Sequence, residues 1–310
     1  MNVYPLDQLL AHYQSLVLIR RFEERLSYLF AAGKVPGTAH FCLGQEATAV
    51  GAIAALEASD LVTSNHRGHG HFLAKGADPR KVLAEIMGKS TGYCGGRSGS
   101  QHMSDPSIGF LGANGITAGM IPVATGAALS QKLLHTGRIV LCFFGDGATG
   151  QGAFHEGVNL GAAWQLPIIY FCENNAFAMS TPVAESFRVT SVAERAAAYG
   201  IRGLRVDGND YFAVREATQR AADWARDWNQ PTLIEAVTWR QCGHSKSDEC
   251  EYRSDEEEAE WLTRDPLPRM AEALRALGAT AEQLAEAERW VDEQVLAAVE
   301  FAEMSPEPEA

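Results

Sequence analysis

Apolar side chains recur at helical spacing near the start of the chain: Leu9, Leu10, Tyr13, Leu16, Val17, Ile19, Phe22, Leu26, Leu29 and Phe30, with Gly33 as a stop. That spacing predicts a helix over 6–32. A second helix is predicted after Gly44, from Glu46 to Leu56. A polar, histidine-rich turn follows from Ser64 to His71. Between 91 and 115 glycine and serine are too dense for regular structure, and a stretch of that length is either functional or mobile. From Gly119 to Leu134 small residues are apolar on most sides, which predicts a buried helix.

The centre of the chain has the clearest pattern. Arg138–Phe144 is a continuous apolar run bounded by glycine, the mark of a strand buried on both faces in a parallel sheet. A Gly-rich turn, a helix through about 152–164 and a second buried strand, Pro167–Cys172, complete a βαβ unit. Gly203–Val206 and Thr232–Trp239 read as further strands, separated by helices near 191–199 and 211–227. The alternation predicts an α/β fold, a doubly wound, mostly parallel sheet flanked by helices. After Trp239 comes a polar loop to about 254, then helices alone to Ala302, so the sheet carries helical N- and C-terminal extensions.

Composition narrows the function. The 310 residues carry 26 Lys+Arg against 39 Asp+Glu, a net charge of −13, which argues against a nucleic-acid binder. No apolar run approaches the ~18 residues of a membrane span, and the N-terminus does not read as a secretory signal. The six cysteines show no CxxC spacing, as expected of reduced thiols in a cytoplasmic protein.

Gly145-Asp146-Gly147-Ala148-Thr149-Gly150 fits G-x-G-x-x-G after a strand and before a helix, and Glu173 ends the next strand. Together these offer a nicotinamide-binding Rossmann dehydrogenase. The chemistry argues otherwise. Asp146 puts a negative charge where a diphosphate would approach the glycine backbone, which is tolerable only with a cation between them. Twenty-six residues separate Gly147 from Asn174-Asn175, at the end of the next strand. An Asp carboxylate, an Asn amide oxygen and a main-chain carbonyl are hard donors suited to Mg²⁺ carrying a diphosphate. The competing plain reading is a tight turn with an Asx cap. A zinc site in His66-Arg67-Gly68-His69-Gly70-His71 is disfavoured by irregular spacing and the lack of a Cys or carboxylate ligand nearby.

This pairing resembles the thiamine diphosphate fingerprint, and the text around it is similar to the alpha subunit of the decarboxylating component of 2-oxo-acid dehydrogenase complexes. That family includes pyruvate, branched-chain and acetoin dehydrogenases. The likeness runs through GTAHFCLGQEATAVG at 37–51, TSNHRGHGHFLAKG at 63–76, GRSGSQHM at 96–103, LGANGITAG at 111–119 and GHSKSD at 243–248. It implies a thiamine diphosphate/Mg-binding domain over 37–240, between an N-terminal helical extension (1–36), an active-site loop (241–254) and a C-terminal helical segment (255–310). By resemblance, Asp146, Asn175 and the main-chain oxygen of Phe177 hold Mg²⁺. Gly147, Ala148, Arg67 and His66 hold the diphosphate, and Gly115 and Thr117 the aminopyrimidine. His40 and His244 face the reacting centre, where a thiazolium ylide attacks the substrate carbonyl before C–C cleavage. The loop around His244 is expected to order when the cofactor binds, with Cys242 standing where many relatives have His.

The resemblance further implies oxidative decarboxylation of a 2-oxo acid such as pyruvate, or cleavage of acetoin, with acyl transfer to lipoamide. The glutamate that activates the cofactor ring sits in the family on a second domain. A beta subunit is therefore expected in an alpha–beta heterotetramer, with a lipoyl-bearing acyltransferase as a further partner. The alternatives are the nicotinamide enzyme, the N-terminal half of a split transketolase, and a scaffold subunit without turnover.

Overall fold

The computed structural model describes residues 4–189 and 191–309. Helix α1 (Leu6–Ala31) leads through α2 (Glu46–Ile53) to strand β1 (Leu61–Thr63). Then follow α3 (His69–Ala74), α4 (Pro79–Ile86), β2 (Phe110–Gly112) and α5 (Met120–Leu133). The central unit is β3 (Val140–Gly145), α6 (Gly152–Ala163) and β4 (Ile168–Asn174), followed by β5 (Phe177–Ala178), β6 (Thr181–Pro182) and α7 (Val183–Ser186). β7 (Arg202–Asp207), α8 (Tyr211–Trp228) and β8 (Thr232–Val237) finish the sheet, and α9 (Asp255–Leu262), α10 (Pro266–Ala276) and α11 (Ala281–Met304) end the chain.

Six strands form one sheet in the order β2-β1-β3-β4-β8-β7, every pair parallel. β5 and β6 make a separate antiparallel hairpin. Side chains alternate along each strand, so Leu141, Phe143, Ile169 and Phe171 enter one core with α1, α2, α4, α8, α10 and α11. Val140, Cys142, Phe144, Ile168 and Tyr170 enter the other with α5 and α6. β1 continues to the β2 edge, whereas β3 starts on its other side and runs toward β4. The order thus reverses between β1 and β3, the kind of crevice where open α/β sheets take ligands. No described helix is long and apolar enough to cross a membrane.

The α/β reading holds, and four local expectations need correction. β2 lies inside the Gly/Ser-rich stretch expected to lack regular structure, and only its flanks are irregular. There the buried Glu85 takes the place of a ladder: its carboxylate accepts from the backbone N–H of Cys94 (2.7 Å), Gly96 (2.9 Å) and Ser98 (2.7 Å). The histidine-rich turn becomes helix from His69 onward. The segment near 191–199 is a 3₁₀ helix, Ala193–Tyr199. Finally, α5 buries only Ile121, Ala124, Thr125 and Ala128, and its outer side is exposed.

Candidate active site

β3 and β4 end level with one another, Gly145 beside Glu173, and so deliver Asp146 and Asn175 to the same edge of the sheet. The segment after β3 is a 3₁₀ turn, Asp146–Gly150, closed by a hydrogen bond from Thr149 Oγ1 to the Asp146 carbonyl (2.7 Å). The α-helix begins only at Gly152, so no helix N-terminus follows the second glycine, as a dinucleotide site would need. Asp146 is 2% exposed and Asn175 6%. Asp146 Oδ2 and Asn175 Oδ1 are both buried without a hydrogen-bond partner. Burial pushes the Asp146 carboxyl up to about 6. Two unsatisfied hard oxygens on the wall of one cavity are costly in a folded chain unless a cation takes them as ligands. The neighbouring asparagine is different: Asn174 Nδ2 donates to Glu235 (2.7 Å) and its Oδ1 accepts from the Ala176 N–H (3.1 Å).

A cavity of about 250 Å³ opens over this edge, lined by Asp146, Gly147, Ala148, Asn175, Phe177, Thr117, His66, Arg67 and His244, and also by Gln45, Asn65, Gln151, Glu173 and Met179. Gly147 has no room for a side chain, since a Cβ there would lie 2.9 Å from that of Ala178. Arg67 is buried without an ion pair among the described residues. It donates to the carbonyls of Phe41 (2.8 Å) and His244 (2.7 Å). Burial and nearby Arg240 lower it to about 10, which leaves it cationic at neutral pH. Glu173 accepts from Thr48 Oγ1 and from His71 Nε2 (3.2 Å). Burial alone would raise its carboxyl, but His71, the Thr48 hydrogen bond and Arg67 together hold it below the usual range.

Opposite the acidic edge three histidines meet. The His40 ring centroid is 4.8 Å from that of His66 and 4.9 Å from that of His244. Burial, reinforced by the charge of Arg67, lowers all three, to about 3 for His40, 2 for His66 and 4 for His244. They are neutral near pH 7. One nitrogen from each lies within 4.8 Å of the others, but a metal reading meets an obstacle. His244 Nδ1 sits 3.1 Å from Arg67 Nη2, and a guanidinium only donates. His244 Nδ1 therefore accepts, and its proton is on Nε2, the nitrogen a metal would need bare.

The sequence model of the dehydrogenase E1 component family matches residues 14–310. The chain is 43% identical over 296 residues to the alpha subunit of acetoin:2,6-dichlorophenolindophenol oxidoreductase from Bacillus subtilis (strain 168), covering 96% of this chain and 89% of that protein. The corresponding subunit of Cupriavidus necator is 41% identical over 308 residues (98% and 92%). The pyruvate dehydrogenase E1 component subunit alpha of Zymomonas mobilis is 40% identical over 304 residues (97% and 86%). This chain belongs to the dehydrogenase E1 component family.

Within this E1 chain, nine of the eleven residues singled out from sequence line one cavity. His40 and Gly115 do not. His40 packs edge-on against His66 and His244, and Gly115 makes room for Gln101, whose Oε1 lies 2.5 Å from where a Cβ would be. His69 and His71 are interior. His69 Nδ1 pairs with Glu23 (2.6 Å), and His71 stacks on Phe143 at 3.7 Å with Nδ1 on Ser64 Oγ (2.8 Å). Sequence reasoning missed Gln45, which is 1% exposed on the cavity wall with both amide atoms unpartnered, and Asn65. Only their position beside Glu46 and His66 could have pointed to them. The loop after β8 is organised by Asp248, which accepts from the His244 and Cys250 N–H groups and from Tyr252 Oη (2.7 Å).

Proposed function

We propose that this chain is the alpha subunit of a thiamine diphosphate- and Mg²⁺-dependent E1 dehydrogenase, acting on a 2-oxo acid such as pyruvate or on acetoin and passing the acyl group to lipoamide. The two buried, unpartnered oxygens of Asp146 and Asn175 carry the reading. They suit Mg²⁺, with the Phe177 carbonyl as a third donor. Arg67, always charged, holds the diphosphate together with His66 and the N–H groups of Gly147 and Ala148. Gly115 and Thr117 bound the aminopyrimidine through their backbone. When bound, thiamine diphosphate supplies the electron sink that lets the bond beside the substrate carbonyl break. His40 and His244, held neutral, donate hydrogen bonds toward the oxygen on which charge develops.

The curated relatives are named as alpha subunits, which implies a beta subunit. α5 and α6 leave an apolar strip outside that suits one: Leu133 and Leu134 are each 68% exposed, Val123 49% and Trp164 46%. We place the beta subunit of an alpha–beta heterotetramer on this strip, and a lipoyl-bearing acyltransferase beyond it. The double substitution Leu134→Asp/Trp164→Lys is expected to leave the isolated chain folded and to abolish co-purification with the beta subunit; an unchanged complex mass by sedimentation argues against the placement. Calorimetry tests the site. Thiamine diphosphate is expected to bind only with Mg²⁺, and metal-independent NAD binding in its place would overturn the reading. Assays of the assembled enzyme with pyruvate and with acetoin then separate the two substrates.

A further inference from the structure

Gln101 reaches the histidine cluster through His40 without lining the cavity. Its Nε2 is 3.0 Å from His40 Nδ1. Beside it Gly115 leaves the space its amide fills, because a Cβ on Gly115 would collide with Gln101 Oε1 at 2.5 Å. An amide nitrogen donates and does not accept. We propose that Gln101 is a positioning residue that fixes His40 in the tautomer bearing its proton on Nε2.

The same arrangement is built a second time by an unrelated group. Arg67 Nη2 donates to His244 Nδ1 (3.1 Å), so that ring too carries its proton on Nε2. The two rings lie 4.9 Å apart at 77°. One polar donor behind each ring therefore turns a pair of imidazoles into a pair of N–H donors. An imidazole whose far nitrogen is engaged this way cannot take up a proton on the near one, so the pair hydrogen-bonds an oxygen and does not act as a base. Glu85 supports the arrangement from a distance, since it anchors the 94–99 loop that leads into Gln101. Any effect of Gln101 on turnover rests on the function proposed above; the tautomer does not.

Two variants of nearly equal volume test this. Gln101→Glu turns the donor into an acceptor and is expected to move the His40 proton to Nδ1. Gln101→Met removes the hydrogen bond and is expected to let both tautomers populate. Nitrogen-15 spectra of the histidine-labelled full chain read the tautomer directly. A pyridine-like Nδ1 on His40 of the parent chain, lost in Gln101→Glu, supports the proposal, and a pyridine-like Nε2 in the parent overturns it. In the complex with the beta subunit, kcat is expected to fall about 100-fold in Gln101→Glu and less in Gln101→Met, with the KM for thiamine diphosphate nearly unchanged. A switched tautomer with unchanged kcat would also overturn it, because Gln101 would then position nothing that matters. If Gln101→Glu does not fold, Gln101→Met carries both measurements. A parent complex without thiamine diphosphate-dependent turnover sinks the functional reading, and the nitrogen spectrum, which needs no cofactor, still decides the tautomer.

Discussion

The two ends of the cavity are built from opposite materials. At one end Asp146 and Asn175 project from level strand ends of a six-stranded sheet, and their free atoms are oxygens with nothing to accept from. At the other end His66 and Arg67, neighbours on one loop, meet His40 and His244 from two others; Arg67 is cationic, and the free nitrogens of His40 and His244 are N–H donors. Burial acts on both, raising a carboxyl at the first and lowering imidazoles at the second. In each case the shift marks a missing partner, a positive charge at the acidic end and an acceptor at the basic end. A ligand that is a chelated diphosphate at one end and a polarised carbonyl at the other satisfies both deficits.

The sharpest way to break this comparison is Asp146→Ala. Without the carboxylate the Mg²⁺-dependent binding of thiamine diphosphate is expected to weaken at least about 100-fold by calorimetry, a direct metal ligand being worth no less than an outer-shell one. His244→Asn, at the opposite end, is expected to cost binding under about tenfold and to act mainly on turnover. Equal losses of affinity from both would mean that the ends are not specialised.

A narrower test separates two adjacent residues. Asn175→Ala is expected to weaken cofactor binding by about tenfold or more while leaving the chain as stable as before, since its Oδ1 has no partner to lose. Asn174→Ala is expected to do the reverse. It leaves Glu235 Oε1 without its donor and frees the Ala176 N–H, at a cost of about 2 kcal/mol in urea denaturation. If Asn174→Ala abolished binding with no loss of stability, the roles of the pair would be exchanged.

The sheet end of the site was legible because its signals are local. Arg138–Phe144 and Pro167–Cys172 are apolar runs that need no partner to be recognised as buried strands, and Asp146 and Asn175 follow them at once. Family resemblance, and not periodicity, brought His40 and His244 to the other end. Nothing in the text near His69 shows that Glu23, forty-six residues earlier, receives its Nδ1, so a polar turn was expected where a buried helix begins. β1 and β2 escaped for another reason: with three residues each, they are too short to show a period. The exposed side of α5 was misread because apolarity marks a surface as destined for burial without saying whether this chain or another one covers it.

The smallest expected effect is on the stability of the free chain, and there the two ends should pull in opposite directions with pH. Asp146 titrates near 6 in the fold and near 4 when unfolded. Its contribution is therefore complete in acid and is lost as pH rises through about 6. The histidines are lowered, so unfolded imidazoles take up protons below about 6.5 while the folded ones resist. Their contribution is complete above that pH and is lost on acidification. Three imidazoles oppose one carboxyl, so the urea midpoint of the free chain should fall between pH 7 and pH 5. Asp146→Asn removes the opposing carboxyl and should steepen that fall by at most about 1.4 kcal/mol per pH unit. His66→Asn should flatten it. A midpoint that rises on acidification in the parent chain would show that the carboxyl end dominates, and the balance described for the cavity would have to be reversed.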